Sequence, residues 1–233
     1  MQKLIIVGGK KLNGSINISG SKNATLPILA ASILNKNKVV IKNIPLVKDV
    51  ETMINLLSLL GSKIKLVKKR KKIEILNANE LNTFVSYNLV KTMRAGILVL
   101  GPLLARYNKA TVSLPGGCAI GSRPVNLHLA ALKKMGVNIK IKDGYIIAIA
   151  KNGLIGNKIT FPKISVGATE NTMLAACLAK GKTILNNCAC EPEIKDLSRF
   201  LVKMGCKIRW LEKRKIEING VTNLKPLTYR VMF

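Results

Sequence analysis

Residues 114–124 read LPGGCAIGSRP and place Cys118 after two glycines, in a loop that closes on Arg123 and Pro124. Paired glycines permit a positive φ or close backbone approach. A thiol presented there, with a guanidinium nearby to favour the thiolate, has the makings of a nucleophile or a proton donor. The same residues also suit a small cysteine buried in a loop, and this stretch alone leaves both readings open.

Three further stretches look receptive to anions. GSKNA (20–24) sets Ser21 or Asn23 to cap a helix beginning near Ala24, with Lys22 as a point charge. KISVGAT (163–169) sets Lys163, Ser165 and Gly167 ahead of another helix, and SRPVNLH (122–128) sets Arg123 ahead of a third. Helix starts present free N–H groups and the positive end of the dipole, which suits a phosphate or a carboxylate. An ordinary N-cap beside a solvated lysine explains any one of them. Three in related positions are harder to dismiss. Arg94, in VKTMRAG, either snorkels from an apolar helix or faces a ligand cleft. His128, the only histidine, reads as a packing or hydrogen-bonding residue, and Glu191 and Glu193 read as the acidic start of a helix.

The elements that hold these residues recur. INLLSLLGSKIKLVKKRKKIEI (54–75), LAALKKMGVNIKIKDGYIIAIA (129–150) and SRFLVKMGCKIRWLEKRKIEIN (198–219) each pass from an amphipathic helix through a glycine into two strands. The glycines, Gly61, Gly136 and Gly205, are expected to stop their helices in a left-handed conformation. A second helix and strand precede each copy, at 24–43, 90–114 and 170–187. The chain therefore reads as three βαβαββ units of roughly 70 residues. Their apolar helices are expected to be buried together inside a ring of sheets, as one α/β domain. LIIV (4–7) and the tail YRVMF (229–233) read as strands outside the repeats, with no evident partner.

Composition narrows the function classes. The 233 residues carry 39 Lys and Arg against 11 Asp and Glu, a formal charge of +28. These cations are spread along the whole chain, and the one dense run, KLVKKRKK (65–72), lies between two strands as a hairpin turn. No aromatic residue interrupts that run, so specific nucleic-acid binding is not expected, whereas anionic substrates are favoured. Abundant Lys, Ile and Asn suggest drift toward AT-rich codons. The five cysteines, Cys118, Cys177, Cys188, Cys190 and Cys206, form no CxxC pair, and no metal site is expected. Their odd number argues for a reducing compartment rather than a disulfide framework. Cys177, Cys188, Cys190 and Cys206 read as structural. MQKLIIVGGKKLNG is too short in apolar run for a signal peptide, and AGILVLGPLLA (95–105) falls short of the ~20 residues a membrane span needs. A cytoplasmic protein without membrane contact is expected.

Taken together, GSKNATLPILAA, LVKTMRAG, LPGGCAIGSRPVNLH, KISVGAT and EPEIKD closely resemble the UDP-N-acetylglucosamine enolpyruvyl transferases (1-carboxyvinyltransferases), in the EPSP synthase-like family. The resemblance covers essentially the whole chain. It implies an inside-out α/β barrel domain of three βαβαββ repeats, with sheets outside and helices inside. It also implies transfer of the enolpyruvyl group of phosphoenolpyruvate to the 3-hydroxyl of UDP-N-acetylglucosamine, the first committed step of peptidoglycan precursor synthesis, with no cofactor.

By the same resemblance Lys22, Asn23, Arg94 and Arg123 would gather around phosphoenolpyruvate. Arg123, Pro124, Val125, Asn126 and Leu127, with Lys163, Ser165, Val166 and Gly167, would contact the UDP-sugar. Cys118 would be the general acid, able to form an adduct with phosphoenolpyruvate and open to alkylation by fosfomycin, so the resemblance favours the reactive reading of that thiol. Two departures stand out. Asn126 replaces a common aspartate. The family's enzymes are also nearly twice as long, with two such domains and the site between them. On that pattern residues 1–21 would partly belong to the other domain, 22–228 would form the complete three-repeat domain, and 229–233 would begin the crossover back. Little activity is expected without a complementing C-terminal half. The rivals are a shikimate-pathway enolpyruvyl transferase and a basic binding protein that keeps the fold.

Overall fold

The computed structural model describes residues 3–90, 93–115 and 125–233. The first unit contains helix α1 (Lys22–Ala31), strand β1 (Val39–Lys42), helix α2 (Lys48–Leu59) and the hairpin β2 (Ser62–Val67) and β3 (Lys72–Asn77). The second contains β4 (Phe84–Val85), α3 (Tyr87–Val90), α4 (Leu100–Tyr107), β5 (Lys109–Ser113), α5 (Asn126–Lys134), β6 (Asn138–Lys142) and β7 (Tyr145–Ile149). The third contains β8 (Lys158–Thr160), α6 (Val166–Ala176), β9 (Lys182–Asn186), α7 (Pro192–Met204), β10 (Lys207–Glu212) and β11 (Lys215–Asn219). A last strand, β12, spans Leu227–Arg230.

Three four-stranded sheets result, in the orders β12-β1-β3-β2, β4-β5-β7-β6 and β8-β9-β11-β10. In each, the first pair is parallel and the others antiparallel. The helices lie within: every residue from Ala24 to Ala31 in α1 and from Ala168 to Ala176 in α6 is buried. This is the inside-out arrangement of sheets around apolar helices that the repeats imply. Gly61, Gly136 and Gly205 take φ of +104°, +88° and +110°, the left-handed stops expected of them. KLVKKRKK forms the β2–β3 hairpin.

Two expectations are corrected. LIIV forms no strand: residues 3–20 contain neither helix nor strand, and Leu4 to Val7 are 75–91% exposed. High β-propensity does not make a strand without a ladder partner. The tail does have a partner. β12 pairs in parallel with β1, Leu227 opposite Val39 through Arg230 opposite Lys42, and fills in the first sheet the slot that β4 and β8 fill in the others. The first βαβαββ unit is thus completed by the far end of the chain. The helix of the middle copy is also shorter than its apolar run. Arg94–Val99 is a 3₁₀ turn, and regular α-helix begins at Leu100, which puts Pro102 in the first turn where its missing N–H costs nothing. Among the described residues no helix is long and apolar enough to cross a membrane.

On the first sheet Glu74 accepts from both Lys38 and Lys72 at 2.6 Å. These two ammonium groups hold its carboxyl at about 2, below the ordinary 4.5. A folded value below the unfolded one gives stability that is complete above about pH 4.5 and lost as the pH falls through about 2. Glu74→Gln is therefore expected to lower the melting temperature at pH 7, with the gap to wild type closing near pH 2. Thermal melts across that range check it.

Candidate functional site

The starts of α1 and α6 are built alike. Ser21 and Lys22–Asn23–Ala24–Thr25 match Ser165 and Val166–Gly167–Ala168–Thr169 as Ser-x-x-Ala-Thr. In α1 the Ala24 N–H donates to Ser21 Oγ at 3.3 Å, while the Thr25 N–H and hydroxyl donate to the Ser21 carbonyl at 3.0 and 2.7 Å. In α6 the Ala168 N–H donates to Ser165 Oγ at 3.3 Å, and Thr169 donates twice to the Ser165 carbonyl, at 3.0 and 2.8 Å. Each serine satisfies one amide, leaving the N–H groups before it at the open end of the dipole. The two helix starts are capped alike, in related positions of the repeat.

They differ in side chains. The α1 start carries Lys22 and Asn23, both exposed, and Lys22 Nζ lies 2.7 Å from Asp49 Oδ2 in the first turn of α2. Asp49 thus holds the lysine beside the helix start. The α6 start is nearly bare: Lys163 is exposed before it, Ser165, Val166 and Gly167 are half-buried, and a Cβ on Gly167 would sit 3.2 Å from His128 Cε1. That contact brings α6 against the start of α5, where Val125 is half-buried, Asn126 exposed and Leu127 buried. The structure therefore brings Val125–Leu127 together with Val166–Gly167, and Lys22 and Asn23 together with Asp49. Arg94 opens the 3₁₀ turn ahead of α4, and its side chain lies outside the described residues, as do Cys118, Arg123 and Pro124.

Behind these helix starts is a buried polar joint. Asn171, on α6, accepts from the Gly101 N–H at 2.7 Å, donates to the Ile97 carbonyl at 3.0 Å and faces His128 Nδ1 at 3.1 Å. The two backbone partners fix the amide, so Nδ2 is the donor toward His128 and Nδ1 the acceptor. His128 is a buried hydrogen-bonded residue, as its sequence context implies. Glu191 stands at the N-terminal boundary of α7, its Oε2 accepting from the Cys190 N–H rather than from the helix, and Glu193 lies in the first turn. Of the other cysteines, Cys177, Cys188 and Cys206 are buried and Cys190 is half-buried. Burial and neighbouring Cys206 push the Cys177 thiol up, and its S–H donates to the Met173 carbonyl; burial pushes Cys188 up to about 11. Sequence reasoning missed Asp49 and Asn171. An acid in a helix's first turn reads as a dipole partner, and one asparagine in an apolar run carries no further signal.

Comparison with known proteins supplies the context. The family model of EPSP synthase (3-phosphoshikimate 1-carboxyvinyltransferase) matches residues 6–232. The UDP-N-acetylglucosamine 1-carboxyvinyltransferase of Pelagibacter ubique is 62% identical over 232 residues, covering all of this chain and 55% of that protein. The protein of the same name from Rickettsia akari is 53% identical over 234 residues, covering 56% of its length. The chain thus spans about half the length of the curated relatives it matches. Among solved structures, the enolpyruvyl transferase NikO of Streptomyces tendae superposes with a TM-score of 0.83 at 18% identity, over 97% of this chain and 53% of NikO.

Proposed function

The chain belongs to the EPSP synthase family, and from that premise we propose that it is one domain of an enzyme that moves the enolpyruvyl group of phosphoenolpyruvate to the 3-hydroxyl of UDP-N-acetylglucosamine, in peptidoglycan precursor synthesis. The observation that carries this reading is the pair of matching helix-start cradles, one armed with Lys22 and Asn23, the other left open by Gly167. The names of the curated relatives support the sugar nucleotide as acceptor.

Phosphoenolpyruvate brings a phosphate and a carboxylate. Lys22, Asn23 and the amides of the α1 start, with Arg94 and Arg123, answer those charges. The UDP-sugar takes the α5 and α6 starts, over Arg123–Leu127 and Lys163–Gly167. Cys118 gives a proton to the methylene carbon, which leaves C2 electrophilic, and the sugar 3-oxygen bonds to C2 as its proton passes to a base. Loss of phosphate from the tetrahedral adduct, with loss of a methyl proton, restores the double bond. Proton transfer and charge stabilisation are each worth orders of magnitude, so a base and further cations from a second domain complete the site.

Residues 1–21 and 229–233 are the segments we assign to the junction with that second domain. The exposed apolar run Leu4–Val7 and the hydrogen bond from the Ser21 N–H to the Met232 carbonyl, 2.8 Å, support this. The test is phosphate release from phosphoenolpyruvate with UDP-N-acetylglucosamine as acceptor, beside Cys118→Ser and with shikimate 3-phosphate as the competing acceptor. The chain alone is expected to bind the UDP-sugar and release little phosphate. Adding the C-terminal portion of a relative is expected to restore release that Cys118→Ser abolishes. Release with shikimate 3-phosphate instead would overturn the acceptor. Salt-sensitive nucleic-acid binding without UDP-sugar binding would overturn the enzyme.

A further inference from the structure

Asp196 lies on α7 with its side chain 3% exposed, and it faces the tail of the chain rather than solvent. Its Oδ1 accepts from the Tyr229 hydroxyl at 2.7 Å, and its Oδ2 accepts from the Met232 N–H at 3.2 Å. Arg199 approaches at 3.5 Å from the exposed side. The tail is held from its other flank too: the Val231 N–H donates to the Lys42 carbonyl, and Asn43 Nδ2 donates to the Val231 carbonyl at 3.0 Å. The Met232 peptide then makes one more bond. Its carbonyl accepts from the N–H of Ser21 at 2.8 Å, and Ser21 is the residue that caps α1.

A continuous set of bonds therefore runs from Asp196 through the Met232 residue to Ser21, and from Ser21 to the amides of Ala24 and Thr25. α6, built with the same Ser-x-x-Ala-Thr start, has no recorded counterpart of the Ser21–Met232 bond at Ser165 among the described residues. The α1 start is the cradle that depends on a distant segment, and it is the one that carries Lys22 and Asn23.

We propose that Asp196 is a positioning residue for the α1 anion cradle, setting the place of Ser21, and with it Lys22 and Asn23, by clamping the tail through Tyr229 and the Met232 amide. The clamp itself is read from geometry; its service to phosphoenolpyruvate rests on the function proposed above. A carboxylate suits the task because each of its two oxygens accepts, one from the Tyr229 hydroxyl and one from the Met232 N–H. Asparagine can keep both contacts by turning its Nδ2 to the Tyr229 hydroxyl, which accepts as well as donates, so the informative changes are Asp196→Ala and Asp196→Leu, which remove both acceptors.

The experiment is amide hydrogen exchange on the full chain, comparing wild type, Asp196→Ala and Asp196→Leu, with Ile216 and Ile218 of β11 as internal references. In Asp196→Ala the amides of Met232, Ser21, Ala24 and Thr25 are expected to exchange about 10- to 100-fold faster, the range for a lost bond to a charged group, while Ile216 and Ile218 keep their rates. Faster exchange at Met232 with wild-type rates at Ser21 to Thr25 would overturn the proposal. Should Asp196→Ala fail to fold, Asp196→Leu carries the same comparison, since it refills the volume and accepts nothing. Calorimetric titration of the chain complemented with the C-terminal portion of a relative adds a readout that a general structural role would not move. Affinity for phosphoenolpyruvate is expected to fall about tenfold, while affinity for the UDP-sugar, read on α5 and α6, stays level; equal losses would overturn the proposal. A complemented wild-type enzyme that binds no phosphoenolpyruvate, with the coupled exchange present in the single chain, would sink the substrate reading and leave the clamp standing.

Discussion

Replacing Asn171 with alanine is expected to destabilise the domain by about 3–5 kcal/mol, a large part of the 5–15 kcal/mol that such domains possess. The side chain is fully buried among helices and serves three partners, the Gly101 N–H, the Ile97 carbonyl and His128 Nδ1. Alanine leaves the buried Gly101 N–H without its acceptor, strips one of two donors from the Ile97 carbonyl, which keeps the Leu100 N–H, and removes the Asn171 donor from His128 Nδ1. A buried group left unsatisfied costs about 1–3 kcal/mol before relaxation, and the cavity adds to that. The surroundings have little room to close up. A Cβ on Gly101 would meet the Asn171 carbonyl and Oδ1 at 2.4 Å, so the α4 start and α6 are already as near as a glycine allows. Urea unfolding with an unchanged m-value measures the loss. Asn171→Leu separates its causes: leucine refills the volume but satisfies nothing, so it should lose nearly as much as alanine. A leucine variant close to wild type would show that the cavity, and not the unpaired groups, sets the cost.

The same joint shows what kind of information the sequence holds. Local physics was legible. Gly61, Gly136 and Gly205 stop helices in three parallel places because a left-handed residue without a Cβ is a local requirement. The basic run at 65–72 turns a hairpin because alternating apolar residues flank it. The three-unit plan followed from those local signals repeating. Pairing over long separations was not legible. β12 joins β1 across nearly the whole chain, and nothing in LTYR announces that register. LIIV has the composition of a strand, yet propensity cannot supply the neighbour that would make it one.

Within the site the split is similar. Ser21 or Asn23 could be read as the cap of the first helix, and the geometry selects Ser21; Ser165 could be read as lying ahead of its helix, and it proves to be the matching cap. Asp49 could not, because its role depends on where α2 begins in space relative to Lys22. Asn171 and Asp196 sit in otherwise ordinary helical segments, and only tertiary packing shows that each serves backbone groups from other elements. The role proposed for Cys118 rests on the resemblance of its whole loop, because two glycines and an arginine close in sequence fit a buried thiol as well as a reactive one.

Lys22→Met is expected to cut phosphate release by the assembled enzyme about 10²- to 10³-fold while leaving the melting temperature of this domain almost unmoved. The two halves of that expectation have separate grounds. For stability, the Lys22–Asp49 pair is close to half exposed on the lysine side, at 47%, and 38% on the other. Pairs of that kind contribute about 0–1 kcal/mol, and the α1 start keeps its Ser21 cap without the lysine. For catalysis, the ammonium stands at the mouth of a helix start whose free amides favour an anion. Removing a preorganised charge from developing phosphate costs about 2.7–4 kcal/mol of barrier, which is the stated loss in rate. Asp49→Asn is expected to behave otherwise: it frees the ammonium from its tether without deleting it, so release should fall far less. Rates measured on the complemented enzyme, beside thermal melts of the single domain, decide the matter. A Lys22→Met variant that melts early but turns over normally would place the lysine in the fold's service rather than the substrate's.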